Sequence, residues 1–277
     1  MTLSVRNNFF RGGIVLAALS LVLIAAAGYT ALPVYPVVET SSAMRSWGLI
    51  QKLIEGFTKP SAYVPYLTML GAAAYSLISI IIIHYFFEKT QSPEILFFGF
   101  FVISLSFEFA RIMIPLNAAF PFPAMYLITA FRVLLFGRYF GLFSLFAASV
   151  YAAGLDAQKQ QNVFYMLVLA ALVIALNVPI DTLVWDSTFM LWNGYRIMLF
   201  FIETGVLLIT MLTFFVSAYT RGSRTYVFIG LGSFLVFAGR SILLNSDTWI
   251  TPIPGLLILS LGTWLISSRL HKEYLWL

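Results

Sequence analysis

Five charged residues lie within long apolar segments of this 277-residue chain, where a membrane-spanning helix would bury them. They are two acids and three arginines: Glu108, Arg111, Arg132, Glu203 and Arg240. An ionisable side chain inside hydrocarbon costs roughly 2.5 kcal/mol or more, so it is rarely retained without a partner or a function. The planar guanidinium of arginine suits carboxylate or phosphate groups and keeps its charge. The pattern therefore predicts an anion-binding site or a set of interhelical salt bridges.

The same five residues are predicted to share one depth. A rise of about 1.5 Å per residue from the predicted helix ends places them roughly 6 to 12 Å below the outer membrane face. Glu108 and Arg111 are three residues apart and share a helix face, so they can pair within one span. The other three belong to different spans and can pair only between helices. If all five point inward, the site carries one unpaired positive charge.

Three interpretations of this charged layer remain open from the sequence. It could fix the packing of the helices, it could bind a small anion entering from outside, or it could line a translocation path with Glu108 or Glu203 as a proton carrier. Polar residues at the predicted outer ends of the later spans favour a pocket, as converging polar groups form binding sites. They are Asp181, Asp186, Asn193, Tyr195, Asn245 and Asp247.

Composition places the chain in a membrane. It is 61% hydrophobic and only 10% charged, whereas soluble domains contain about 25% charged residues. We therefore predict an integral membrane protein. Its net charge of +5 is spread along the chain, so a nucleic-acid partner is not expected.

Apolar runs predict an all-α, polytopic transmembrane helix bundle with eight spans, namely one anchor helix and a seven-helix bundle. Most runs reach the ~20 residues that a spanning helix requires. Positively charged residues are more frequent in loops on one side, which predicts that both termini are cytoplasmic and that the membrane is an inner or plasma membrane. The predicted spans are 13–32, 67–87, 95–115, 124–153, 163–184, 197–218, 225–244 and 254–268.

The run 124–153 has two interpretations. A straight helix of this length would be about 45 Å long, and Gly137, Arg138 and Gly141 interrupt the apolar pattern. We predict one long helix with Arg138 near the inner interface. A helical hairpin would reverse the orientation of every later span.

The first span also has two interpretations. Arg6, Arg11, the apolar stretch and the small residues 25–28 resemble a secretory signal peptide. We expect an uncleaved anchor instead, because the apolar run is long for a signal. The predicted divisions are a tail and anchor helix (1–32), an external segment (33–66), the seven-helix bundle (67–270) and a short cytoplasmic tail (271–277).

The external segment is predicted to contain an amphipathic helix. Met44, Trp47, Ile50 and Phe57 recur at helical spacing, opposite charged residues. Such a helix would lie flat on the outer surface, either bracing the bundle or closing it as a lid.

Residue types exclude several functional classes. The chain has no cysteine, so disulfides, thiolate metal sites and cysteine nucleophiles are excluded. No lysine lies within a predicted span, which excludes a covalently bound retinal, and the two histidines are too far apart in sequence for a zinc motif. Phosphate-binding loops and nucleophile elbows are missing as well. We therefore expect no enzyme activity of a known type and no cofactor.

In general layout the chain resembles the membrane sensor modules of bacterial signalling proteins, a likeness of architecture alone. This implies a receptor-like or sensory protein that binds a small anionic or lipid-derived ligand in its outer half and acts on a cytoplasmic effector protein. The alternatives are a transporter of small solutes or lipids, and a non-catalytic subunit of a membrane assembly.

Overall fold

The computed structural model describes residues 3–31, 61, 63–88, 90, 92–180 and 183–275. Within these residues there are eight helices long and apolar enough to cross a membrane, and no β-strand. The predicted all-α, multi-pass fold is thereby confirmed. The helices are α1 (Leu3–Ala31), α2 (Tyr63–Phe87), α3 (Pro93–Ala119), α4 (Ala124–Ala152), α5 (Gln160–Asn177), α6 (Arg196–Arg221), α7 (Thr225–Leu244) and α8 (Pro252–Leu275).

Helix α4 agrees with the sequence prediction, and helix α5 is shorter than predicted. Helix α4 is a single continuous helix of 29 residues, as predicted, and not a hairpin. Helix α5 ends at Asn177, seven residues before the predicted end, because Val178 is extended (ψ 119°) ahead of Pro179. A residue before proline is driven out of the helical conformation by the proline ring. Residues 183–195 therefore form a loop. We call the end of the bundle at which this loop lies the hairpin face.

Helix α3 is the centre of the bundle. In its most apolar window 89% of the residues are buried, whereas the corresponding value is 22% for α5 and for α6. Helix α3 packs against α1, α2 and α4. Much of the surface of α5 and α6 is therefore left uncovered by the other described helices, while α3 is enclosed by protein.

The middle of α3 is not α-helical. Pro93–Ser104 and Met113–Ala119 are α-helical, and Leu105–Ile112 between them is a 3-10 helix of eight residues. Runs of 3-10 helix longer than three or four residues are uncommon and often mark a hinge or strain. Pro115 gives a local reason, because it has no N–H and its ring would clash with the carbonyl of Arg111 in a regular α-helix.

Helices α7 and α8 are joined along a glycine seam. A Cβ added at Gly262 would lie 2.7 Å from the backbone nitrogen of Val236, and one added at Gly255 would lie 2.9 Å from that of Leu243. Gly232 and Gly239 of α7 likewise face the backbone of α8. Small residues allow membrane helices to approach this closely.

Aromatic side chains fill the core between the middle of α3 and the face opposite the hairpin. Phe97 stacks on Tyr151 with ring centroids 5.1 Å apart, and Phe100 lies 5.1 Å from Phe164. These rings join α3 to α4 and α5. They make the half of the bundle away from the hairpin face an apolar, closely packed core.

Two predictions fall outside what the structure describes. The amphipathic helix predicted for the external segment, from Met44 to Phe57, falls outside the described residues. The side of the membrane on which the termini lie also stays a prediction.

Candidate functional site

Glu108 is the centre of a buried ion-pair cluster in the middle of the bundle. Its Oε1 accepts a hydrogen bond from Nε of Arg138 at 2.8 Å, and its Oε2 accepts one from Nη2 of Arg138 at 2.9 Å. Nη1 of Arg111 donates to the same Oε2 at 3.3 Å. Glu108 is 2% exposed and Arg111 is 1% exposed. One carboxylate is thus held between two guanidinium groups, with the paired geometry that arginine favours on the Arg138 side.

The approach of α3 to α4 makes this contact geometrically accessible. Gly137 and Gly141 flank Arg138 one turn apart, and a Cβ added at either position would collide with Phe107 or Ser104 of α3. The small-residue pair brings the two backbones together, so that Glu108 can reach across to Arg138.

The structure corrects the predicted place of Arg138, which lies in the cluster and not near the inner interface. The prediction ended α3 at Pro115 and treated it as a regular α-helix. The helix continues to Ala119 and is stretched by its 3-10 segment. Glu108 then lies about 19 Å from the end of α3, and Arg138 about 21 Å from the start of α4, so their depths match.

Arg240 and Glu203 extend the cluster to α7 and α6. Nη2 of Arg240 donates to the backbone carbonyl of Arg138 at 3.2 Å, and Arg240 is 4% exposed. Glu203 attracts the guanidinium groups of Arg138 and Arg240 electrostatically, and it lies beside the Tyr139 hydroxyl. Within the described residues these five side chains supply three guanidinium groups and two carboxylates, and Asp186 adds a third carboxylate that attracts Arg111.

Arg132 does not join this cluster. It is an exposed residue of α4, six positions before Arg138. Six residues turn an α-helix by about 600°, so the two side chains leave α4 on different faces. The structure therefore brings Glu108, Arg111, Glu203 and Arg240 together and adds Arg138, which the sequence analysis had not included. The Gly137 and Gly141 pair was the one signal that could have revealed it.

A loop closes the cluster on the hairpin face. Residues Trp185 and Leu191 form an antiparallel bridge, and Oδ1 of Asp186 accepts hydrogen bonds from Thr188 N at 2.9 Å and Met190 N at 3.0 Å. The carbonyl of Thr188 accepts a hydrogen bond from Nη2 of Arg111. No sequence pattern identified Thr188, because a backbone carbonyl carries no residue signature.

The loop is anchored in the bundle by apolar side chains. Phe189 and Leu191 are 2% and 3% exposed, and Ser187 Oγ donates to Oδ2 of Asp247 at 2.8 Å. We call residues 183–194 the hairpin. It is fixed to α3 at one point and to the α7–α8 connection at another.

A polar cavity of about 270 Å³ lies between the hairpin and the cluster. Helices α4 and α6, together with Asn245 directly after α7, contribute its walls, and the hairpin contributes its roof. Its charged and amide lining residues are Arg138, Asp186, Asn193, Arg196, Glu203 and Asn245. Since Arg138 belongs both to this cavity and to the ion-pair cluster, a ligand in the cavity would touch the cluster directly.

A second, larger cavity has a different character. It is an apolar groove of about 600 Å³ between α2 and α8, lined by residues such as Ile78, Ile82 and Trp264. The Tyr75 and Thr263 hydroxyls are hydrogen-bonded to each other in its wall. Its lining suits hydrocarbon and not a charged ligand, so we assign no chemistry to it.

The chain matches no protein-family model, and comparisons with curated proteins and with solved structures found no similar protein.

Proposed function

We propose that the chain is a receptor-like, sensory membrane protein that binds a small anionic ligand in the polar cavity under the hairpin. The hairpin face is the predicted outer side, so the ligand would enter from outside the cell membrane. An effector protein on the cytoplasmic side would receive the signal. One feature of the site favours this sensory role over transport and over a purely structural role.

That feature is the shared position of Arg138. Its Nε and Nη2 are both bonded to Glu108, which leaves Nη1 for the cavity that Arg138 lines. An anion that draws Arg138 toward the cavity weakens its hold on Glu108. Binding in the cavity is thereby linked to the central helix α3.

The 3-10 segment of α3 offers a way to carry that change along the bundle. Glu108 and Arg111 both lie in the 3-10 helix Leu105–Ile112. If these eight residues became α-helical, α3 would shorten by about 4 Å, because a 3-10 helix rises ~0.5 Å more per residue. A ligand that favours one of the two forms would shift their equilibrium.

The aromatic core favours sensing over transport. A solute leaving the cavity toward the opposite face would meet the packed rings of Phe97, Phe100 and Phe164. A charged solute would lose its hydration there without gaining polar partners. Transmission of a helix displacement requires no such passage.

Thermal unfolding of the purified protein with a panel of small organic anions tests the proposal. A ligand at ~100 times its dissociation constant should add about 2.7 kcal/mol to the stability of the native state. We expect stabilisation by at least one small carboxylate, loss of that effect in Arg138→Ala, and weaker binding in Arg196→Ala. Arg196 is exposed at the cavity rim, so its removal should leave the fold intact.

Arg224→Ala serves as the matched control, because Arg224 is an exposed arginine at the other end of the bundle. It should bind the ligand as the unaltered protein does. Uptake of the stabilising anion into proteoliposomes would favour transport instead. Absence of stabilisation by every anion, combined with co-purification of a larger partner, would favour an assembly subunit.

A further inference from the structure

We infer that the ligand of the polar cavity carries a protonated amine beside its carboxylate, as a small α-amino acid does. This inference rests on the proposed function and narrows the class of ligand. It arises from the charges of the cavity, where the Glu203 carboxylate lies near Arg138 and a simple anion would offer it no donor.

The cavity contains acceptor groups that require a donor. The amide oxygen of Asn193 is buried and has no hydrogen-bond partner within the described residues. Buried acceptors without a donor are disfavoured by roughly 1–3 kcal/mol and are rare in native proteins. Asn193 belongs to the roof of the cavity. This oxygen is covered by neighbouring atoms, so a ligand N–H or O–H group reaches it only if the Asn193 side chain rotates toward the cavity.

Glu203 adds a second acceptor with a full negative charge. In the described part of the chain it has no ion pair within 4.0 Å, and its near neighbour is the Tyr139 hydroxyl. A carboxylate can accept about four hydrogen bonds. Glu203 therefore retains capacity for a donor from the ligand, in contrast to Glu108, which two arginines occupy.

The cavity places opposite charges close together. Arg138 and Glu203 both line it and interact electrostatically with each other. A simple anion bound at Arg138 would be repelled by Glu203, because like charges in proximity oppose binding. An ammonium group adjacent to the carboxylate would turn that repulsion into attraction.

Size limits the ligand to a small molecule. A volume of about 270 Å³ corresponds to roughly nine water molecules at liquid density. This space matches the size of a compact amino acid.

Three compounds with one carbon skeleton test the inference: L-alanine, L-lactate and propionate, which carry an ammonium, a hydroxyl and a hydrogen at the same carbon. The L-glutamate, 2-hydroxyglutarate and glutarate series repeats the test with a larger skeleton. We expect, by calorimetry on the purified protein, at least ten-fold tighter binding of the amino acid than of the plain acid in one series. The hydroxy acid should lie between them.

Glu203→Gln separates this inference from the proposed function. It keeps the shape of the side chain and removes its charge, so the ten-fold preference should fall to less than three-fold while the plain acid still binds. Equal binding of amino acid and plain acid by the unaltered protein would overturn the inference and leave anion binding intact. A preference that persists in Glu203→Gln would overturn it as well. Failure of every compound in both series to bind would count against the proposed function itself.

Discussion

At the scale of single residues, the position of Glu108 is decided by charge balance. The carboxylate is buried in the bundle with Arg138 on one side and Arg111 on the other. Neither guanidinium could remain in this environment without a counter-charge, since breaking a buried pair leaves an uncompensated ion. The cluster is therefore interdependent, and the loss of its central acid should affect both arginines.

Glu108→Ala is expected to lower the free energy of unfolding by about 3–5 kcal/mol, because it leaves Arg111 and Arg138 buried without their carboxylate. Arg132→Ala, on the same α4 as Arg138 but exposed, should change it by less than about 0.5 kcal/mol. Chemical unfolding in detergent followed by circular dichroism measures both. Equal destabilisation by the two substitutions would contradict the arrangement of the cluster.

The double variant Glu108→Ala with Arg138→Met sharpens this comparison. Removal of both partners leaves one fewer isolated charge, so the double variant should be less destabilised than the sum of the single variants. Additive effects would indicate that the two residues do not interact.

At the scale of elements, the apolar runs were sufficient to predict eight helices, but the site depended on two local departures. Continuation of α3 past Pro115 and its 3-10 segment moved Glu108 to the depth of Arg138. Hydrophobicity indicates the length of a span but not its rise per residue. With a regular α-helical rise in α3, Glu108 was placed at the depth of Arg132, which was therefore predicted to share its layer. The hairpin likewise contacts α3 through the Thr188 backbone carbonyl. Every residue has such a carbonyl, so the sequence could not indicate this contact.

Gly137→Ala tests the contact between α3 and α4. The added methyl group would collide with the Cβ of Phe107, a position fixed by the backbone of α3. We expect a loss of about 1–3 kcal/mol in the free energy of unfolding, typical of overpacking. Gly205→Ala in α6 is the control, because open space surrounds its added Cβ.

The control should be neutral or more stable by up to about 1 kcal/mol, since alanine favours the helix more than glycine does. A neutral Gly137→Ala would mean that α3 and α4 are not packed at this point, and Glu108 could not then reach Arg138.

At the scale of the whole molecule, the buried polar groups run from the hairpin face to the middle of the bundle. The hairpin and the cavity lie at the hairpin face, the cluster lies below them in the middle of the bundle, and aromatic packing occupies the half beyond it. Such a division separates a region that can bind a polar ligand from one that holds the helices in contact. It also makes the orientation in the membrane decisive for function.

Labelling of single cysteines determines this orientation, because the chain has no cysteine of its own. Val184→Cys places a thiol on the hairpin, and Tyr219→Cys places one near the other end of α6, both at exposed positions. A membrane-impermeant maleimide added to intact cells should label Val184→Cys alone. Tyr219→Cys should react only after permeabilisation, and the reverse pattern would place the cavity on the cytoplasmic side.

The glycine seam between α7 and α8 determines which helices are free to be displaced. The two backbones approach so closely near Gly239 and Gly262 that an added Cβ would not fit between them, so we expect α7 and α8 to move together. Arg240 is carried by α7 and therefore belongs to a two-helix rigid body. Glu203 belongs to α6, much of whose surface is left uncovered by the other described helices. Displacements that accompany ligand binding should thus be measured as movements of α6 and α3 relative to a stationary α7–α8 pair.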